Sequence, residues 1–534
     1  MRLHTLRRLT TVLAATLLLA APAGAQAPKP PPPPKPAAKP AAPADKKAPA
    51  KPAAKPATPA PKPAPKAEKP EPVSVAPAGE KLDGPLNTWL KNVSPRNRSA
   101  LTLWPAWVKA SDMPAGAVPM PADIWSGMPD REAWAQWASS NADLAKALRA
   151  SGECIVLGMA YGDAGGDPAW KPKGLEANPG SAEGDGAFPY LRAVRGLAAF
   201  SMLRMQQLGT EGKYDEAFVV GLDGLRMLRQ VAEQRMLSEK AVALELLASG
   251  LEAHRVFMAD HQDRVPLAVL QDAALRGYPF LKAGDRDRLS RLELPEGDRM
   301  VIEERIGAVF TSEGQPDASK FGQAMGAVQA RNEPVTRFGA VTGWTAVAEQ
   351  HGSLEATRAR LGDVYDDWWR RWRMRFYDSI VERPSEFSRL NPVRYALITL
   401  LVGDLQRVFD LRMRVIAELN ATSLVAGLCG FRVDNGKQWP RDLGQIFPTY
   451  ALKKMDMDPY SRKYGSFQYR DVGSKAVAID SPWGTVEATG ACVWSLGGDH
   501  DDGSMAKHDP PDGIGDLVFW PPPRQLAQKA GLIK

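Results

Sequence analysis

Aspartate residues are concentrated near the end of the chain, between Asp499 and Asp516. This segment contains glycines and six carboxylates, namely Asp499, Asp501, Asp502, Asp509, Asp512 and Asp516. Calcium is bound by about six to eight oxygen atoms from carboxylates and carbonyl groups in loops, so the segment predicts a calcium site. The spacing is not that of an EF-hand, because position 12 from Asp499 is Pro510. Two alternatives stay open: a solvated acidic loop without an ion, and a zinc site that uses His500 and His508.

The sequence contains none of the common catalytic motifs. No Gly-x-Ser-x-Gly, His-Glu-x-x-His or Walker Gly-Lys-Ser/Thr pattern occurs. Ser504-Met505-Ala506-Lys507 spells a Ser-x-x-Lys motif, but it lies in the acidic segment and a match this short is expected by chance. We assign His254 and His261 a structural role. For an enzyme that cleaves polysaccharide with paired carboxylates, the candidates are the acidic residues of the Gly- and Asp-rich loop 162–186. That loop is otherwise expected to be solvated or to hold a cation.

Charge is distributed unevenly along the 534 residues. The net charge is +7, but residues 1–25 carry three arginines and residues 26–70 carry ten lysines against two acidic residues. The remaining chain, 71–534, has a net charge of −4. A nucleic-acid-binding domain concentrates Lys and Arg on a folded element, so this distribution argues against nucleic acid as a partner.

The first 79 residues are predicted to be a leader and a linker. A cationic start, an apolar run over 9–21 and Ala23-Gly24-Ala25 are typical of a secretory signal peptide, here 1–25. Residues 26–79 form a Pro/Ala/Lys-rich linker with 17 prolines by residue 70, a composition that predicts disorder with polyproline II character. It is either a semi-rigid spacer or a solubilising tail.

Apolar residues recur every three or four positions through residues 80–394. Such stripes begin at Leu191, Tyr214 and Leu237, and they predict helical hairpins in a bundle or a solenoid-like array. A helix is also predicted over 354–380. Its apolar face consists of Leu361, Tyr365, Trp368, Trp372, Phe376 and Ile380.

The last 140 residues predict a long helix followed by a small sheet. The helix is expected over 395–432 and is too charged to cross a bilayer. Strands are expected at 467–470, 491–497 and 517–520. The residues whose order is distinctive are Gly436, Pro440 and Leu443 after the helix, then Asp458-Pro459, Phe467-Gln468-Tyr469-Arg470, Ser495-Leu496-Gly497-Gly498-Asp499 and Gly515-Asp516-Leu517.

This order resembles the soluble domain of the type II secretion major pseudopilin over about 120 residues. The whole layout also resembles secreted bacterial proteins of unknown function that join a helical body to such a tail. The resemblance implies an adhesive or scaffolding use of the α/β fold, and a calcium loop that begins at Ser495. The ligands we predict are the Leu496 carbonyl and the carboxylates of Asp499, Asp501, Asp502, Asp512 and Asp516.

Cys429 and Cys492 fall on the long helix and on a strand of this module, and Cys154 lies elsewhere. Because a helix and the sheet below it are neighbours, these two thiols either form a disulfide in an oxidising envelope or stay free and buried.

Together these features predict a mainly α protein with a C-terminal α+β module. The predicted domains are the signal peptide 1–25, the linker 26–79, the helical domain 80–394 and the pseudopilin-like module 395–534. We expect a periplasmic or secreted, non-enzymatic interaction or scaffold protein that is stabilised by calcium and binds an envelope protein or polymer. The alternative is an envelope polysaccharide hydrolase with paired carboxylates.

Overall fold

The computed structural model describes most of the chain after residue 82. The described ranges are 83–162, 167–179, 187–279, 292–331, 342–374, 378–462, 465–509 and 515–533. They belong to one structural unit, Pro72–Lys534. The predicted leader and linker, part of the loop 162–186 and the candidate ligand Asp512 lie outside the described residues.

Helices dominate the described structure. In chain order they are α1 (Asp83–Asn87), α2 (Ala100–Lys109), α3 (Arg131–Ser140), α4 (Asp143–Gly152), α5 (Leu191–Thr210), α6 (Tyr214–Ala232), α7 (Leu237–Asp260), α8 (Leu267–Asp272), α9 (Gly297–Ala308), α10 (Ala318–Arg331), α11 (Thr342–Gln350), α12 (Leu354–Arg373), α13 (Ser379–Glu382), α14 (Ala396–Leu401), α15 (Leu405–Asp434) and α16 (Pro523–Lys529). Short 3₁₀ helices occur at Thr88–Asn92, Pro95–Asn97, Pro121–Asp123, Lys171–Lys173, Leu443–Ile446 and Lys453–Asp456, and one π-helical turn at Ala273–Gly277.

The three predicted stripes form the centre of the helical body. Helices α5, α6 and α7 pack on one another through buried aliphatic side chains. Gly212 ends the α5 turn with φ of +76°, a conformation that glycine adopts without a Cβ penalty. Because only a few residues join successive helices, neighbours run antiparallel, and the predicted helical hairpins are confirmed.

The predicted helix over 354–380 is shorter than expected. Helix α12 ends at Arg373, and α13 starts separately after Asp378, whose carboxylate accepts the N–H of Ile380 at 3.1 Å. The Arg371 guanidinium donates to the carbonyl of Val381 at 3.0 Å, which holds the following segment against α12. The prediction of one face is confirmed for Leu361, Tyr365, Trp368 and Trp372, which are buried. Phe376 lies outside the described residues, and Ile380 is half-buried on α13.

The prediction of a single helix over 395–432 is also wrong in one respect. It is divided into α14 and α15 at Val402, Gly403 and Asp404. A Cβ at Gly403 would lie 2.5 Å from a methyl carbon of Leu237, so the chain passes close to α7 there. The Asp404 carboxylate accepts the N–H of Arg407 at 2.9 Å and caps α15. Helix α15 ends as predicted at Asp434-Asn435-Gly436.

Within the described residues, five strands follow α15. They are β1 (Gln468–Asp471), β2 (Val477–Ser481), β3 (Gly484–Ala488), β4 (Ala491–Ser495) and β5 (Leu517–Trp520). The first sheet has the antiparallel order β1-β4-β5, and β2 and β3 form a separate hairpin that the sequence reasoning missed. The β4 register pairs Val493 with Tyr469 and Ser495 with Leu517.

In the β1-β4-β5 sheet, strands β4 and β5 are buried on both faces, whereas β1 is partly exposed. Ala491 and Val493 join the large core that also contains α7 and α15, whereas Cys492 and Trp494 face a smaller core with β3 and α16. Alternation along the strand therefore places Cys492 on the face opposite to α15 and its Cys429. Of the two cysteine alternatives, the structure has the buried thiols: Cys429 and Cys492 form no disulfide, and Cys154 is buried elsewhere.

The fold class predicted from sequence is confirmed, since a mainly helical body precedes a long helix that packs on a small antiparallel sheet. Helix α15 packs against α7 as well as against β4 and β5, so one hydrophobic core extends from Leu86 to Trp520. Among the helices that the structure describes, none is long and apolar enough to cross a membrane.

Candidate functional site

The acidic segment forms the connection between β4 and β5. Its two ends pass very close to each other, because a Cβ at Gly497 would lie 1.9 Å from the carbonyl oxygen of Gly515. Gly497 also has φ of +69°, so only glycine satisfies both conditions. The Asp509 N–H donates to the Asp516 carbonyl at 3.0 Å, and the Asp516 N–H donates to the Lys507 carbonyl at 3.0 Å. The described part of the loop is thus tied back onto the strand that follows it.

Asp516 lies at the centre of this loop. It is buried, and its two carboxylate oxygens accept the N–H groups of Gly503 at 3.3 Å and Met505 at 2.7 Å. Burial raises the pKa of Asp516 to about 6, against the opposing effect of these two donors. The negative charges of Asp502 and Asp499 also raise this pKa, to a smaller extent than burial.

The other predicted ligands in the described residues differ in their hydrogen bonds and in their exposure. Asp502 accepts the Trp494 indole N–H at 3.0 Å and the Ser504 N–H at 2.9 Å, and Asp499 accepts the N–H of Asp501 at 3.1 Å. Asp501 is exposed, and Leu496 is partly buried at the start of the loop. Asp499 and Asp502 thus make hydrogen bonds with other residues than the donors of Asp516.

The loop does not form a complete metal site from its described side chains alone. Within the described ranges, no three His, Cys, Asp or Glu side chains are grouped so that they could hold a metal ion. Asp512 lies outside these ranges, and the carbonyl oxygens that calcium also uses are not side-chain ligands. The ligand set thus stays a prediction.

The two histidines considered for zinc have separate structural partners. The Nδ1 of His500 is 2.7 Å from the carbonyl oxygen of Tyr460. The Nδ1 of buried His508 accepts the N–H of Val518 at 3.1 Å, and burial lowers the pKa of His508 to about 4. Each imidazole therefore supports a different strand or turn around the loop.

Sequence reasoning missed the role of Asp458, which anchors the start of the loop. Asp458 is buried and accepts the Ser495 hydroxyl at 2.8 Å, the Leu496 N–H at 3.1 Å and the Tyr460 N–H at 2.9 Å. Burial raises its pKa. The Asp458-Pro459 step is the sequence signal that marks this position.

An ion-pair network, also missed, connects the exposed Asp509 of the loop to the buried Glu418 and Arg255 of the helices. Asp509 pairs with Arg414 at 2.9 Å, and Arg414 pairs with Glu418 at 2.7 Å. Glu418 also pairs with Arg255 of α7 at 2.5 Å, and the Arg255 guanidinium lies 5.0 Å from the centre of the Phe519 ring. Asp509 is not one of the predicted ligands, and its partner in the structure is Arg414.

The loop 162–186, which was the sequence candidate for paired catalytic carboxylates, is described only in part. Asp167 accepts the N–H of Ala169 at 2.9 Å, and Glu176 accepts the side-chain amide of Asn178 at 3.2 Å. These two carboxylates make local hydrogen bonds, and the other acidic residues of this loop lie outside the described ranges.

Comparisons of this chain with protein-family models, with curated proteins and with solved structures find no significant match.

Proposed function

We propose that this chain is a non-enzymatic interaction or scaffold protein, periplasmic or secreted, whose C-terminal module is pseudopilin-like and stabilised by calcium. The observation that supports the proposal most strongly is the buried Asp516 carboxylate, which accepts the N–H groups of Gly503 and Met505 in a loop that also carries Asp499 and Asp502. Three like charges in one loop disfavour its closed form, and a divalent cation removes that repulsion.

In this proposal the bound ion stabilises the fold and does not catalyse a reaction. An ion that binds only the folded state stabilises it by about 2.7 kcal/mol at a hundredfold excess over its dissociation constant. Because the loop joins β4 to β5 and Asp509 reaches α15 through Arg414, the bound ion would order the face that the loop presents. A rigid, charged surface of this kind suits binding of an envelope protein or polymer.

The experiment is calcium titration of the full chain by isothermal calorimetry, with the D499N variant and the control D143N. Asp499 is one of the predicted ligands and is partly exposed, whereas Asp143 pairs with Lys146 on the exposed face of α4. We expect saturable calcium binding that D499N weakens at least about tenfold, as loss of one charged ligand would, and that D143N leaves unchanged. Absence of binding heat in the wild type would contradict the proposal.

The location and the non-enzymatic role have tests of their own. If the chain is secreted, the exported protein should begin near Gln26, which mass spectrometry of the mature chain can measure. An exported chain that still begins at Met1 would contradict cleavage of the signal peptide. Hydrolysis of envelope polysaccharide by the purified chain would favour the alternative of a hydrolase with paired carboxylates.

A further inference from the structure

The outer edge of β1 is the end of the three-stranded sheet. Among the described residues, β1 pairs with β4 on one side, and the order β1-β4-β5 leaves its other side without a strand. On the β4 side, the Val472 N–H donates to the Gly490 carbonyl at 2.9 Å. Backbone groups alternate in direction along a strand, so those of Arg470 also face β4, whereas those of Tyr469 and Asp471 point to the outer side.

The chain itself pairs with only the beginning of this edge. The Phe467 N–H, two residues before Tyr469, donates on the outer side to the Asp456 carbonyl at 3.2 Å. Within the described part of the chain, the backbone groups of Tyr469 and Asp471 make no hydrogen bond to any segment on this side. Two N–H donors and two carbonyl acceptors are therefore left in the spacing that an extended strand complements.

Charged side chains flank these backbone groups. Arg470 and Asp471 are both exposed and lie on opposite faces of the sheet, since they pair with Cys492 and Ala491 of β4. No ion pair of the described residues includes either side chain. An added strand would place one residue opposite Arg470 and the next opposite Asp471, where both charges are available to it.

Two occupants from this chain itself are disfavoured. In an antiparallel pairing of two copies, a centre at Arg470 or at Asp471 would place like charges opposite each other. A centre at Tyr469 would place Asp471 of one copy against Phe467 of the other, whose outer side is already paired. The linker 26–79 is rich in proline, which lacks the N–H that a strand donates.

We propose that the outer edge of β1 binds an extended segment of another protein, which adds a fourth strand to the sheet. The segment lacks proline at the paired positions and carries an acidic residue opposite Arg470 and a basic residue opposite Asp471. Main-chain hydrogen bonds supply the affinity of such strand addition, and side chains at alternate positions supply its selectivity. The edge is separate from the acidic loop, and binding to it does not need calcium.

The test is fluorescence anisotropy of a labelled peptide of about eight residues, titrated with the full chain in the presence of a chelator. The peptide consists of threonine and valine with an adjacent glutamate and lysine at its centre, and we expect saturable binding below about 1 mM. The D471P variant removes an outward N–H and no bond to β4, at an edge position where strands tolerate proline, and should weaken binding at least about tenfold. The matched control D471N keeps the N–H and should change binding less than about threefold. Equal midpoints in urea unfolding check that both variants fold.

The charge of Arg470 gives a second test that leaves the backbone unchanged. R470E should weaken binding of this peptide at least about threefold and should prefer a peptide in which lysine replaces the glutamate. The matched control R96E should bind as wild type does, since Arg96 is also exposed but lies in the 3₁₀ helix Pro95–Asn97. Three results would overturn the proposal: no saturable binding, equal affinities for D471P and D471N, or an unchanged charge preference in R470E. Dimerisation of the full chain that D471P abolishes would assign the edge to a second copy and would overturn it as well.

Discussion

Glu418 is the carboxylate on which the connection between the sheet and the helices depends. It lies on α15, is 2% exposed, and pairs with Arg255 of α7 at 2.5 Å and with Arg414 at 2.7 Å. The E418Q variant keeps the shape and removes the charge. Two guanidinium groups, of which Arg255 is only 3% exposed, would then lose their shared counter-charge.

The expected cost follows from the burial of these groups. Removal of one partner from a buried ion pair costs about 3–5 kcal/mol, because the remaining charge stays desolvated. Glutamine still accepts a hydrogen bond, so we expect the lower end, about 3 kcal/mol. The matched control is E245Q, since Glu245 pairs with Arg407 at 2.5 Å while the Arg407 side chain is 63% exposed. A pair of this kind contributes less than about 1 kcal/mol.

Urea unfolding of the full chain, followed by circular dichroism, measures both variants. The account predicts a much lower unfolding midpoint for E418Q and an almost unchanged one for E245Q, with similar slopes. If the free energies of unfolding of the two variants agree within about 1 kcal/mol, the network does not stabilise the fold in the way described.

Two other sites give predictions of a different kind. The G497A substitution should destabilise the chain by more than about 2 kcal/mol because its Cβ would meet the Gly515 carbonyl, whereas G436A, with open space around its Cβ and φ of +61°, should cost only about 1 kcal/mol in urea unfolding; equal costs would contradict the close approach. Burial raises the pKa of Glu239 from 4.5 to about 7 in the folded state, so the folded chain keeps this proton where the unfolded chain has lost it. The stability from this group is therefore greatest below about pH 4.5 and falls by about 3 kcal/mol as the pH rises to 7. E239Q should gain stability relative to wild type over that window, and a difference that does not change with pH would contradict this assignment.

Local patterns predicted the helices and strands that depend on periodicity. The stripes that begin at Leu191, Tyr214 and Leu237 correspond to α5, α6 and α7, and the three predicted strands match β1, β4 and β5. The structure divides the predicted helix at Gly403, where the chain passes close to Leu237. This close approach is a tertiary contact, and no local sequence pattern reveals it.

The candidate site was predictable only in its composition. The density of aspartates identified the loop. It did not reveal that Asp516 is the buried centre of the loop, or that Asp509 pairs with Arg414, which is 95 residues away in the sequence. The prediction that Cys429 and Cys492 are neighbours rested on the packing of the helix on the sheet. It did not include which face of β4 carries Cys492. One step along β4 reverses the direction of a side chain, and this step placed Cys492 in the other core.

Hydrogen exchange of the full chain, measured by mass spectrometry with calcium and with chelator, tests the central claim most directly. The account predicts that calcium slows exchange in the peptides that cover 495–520 and leaves those from α5, α6 and α7 unchanged, because the proposed ligands all lie in the loop. Identical exchange of the loop peptides in both conditions would contradict the calcium proposal and leave a solvated acidic loop.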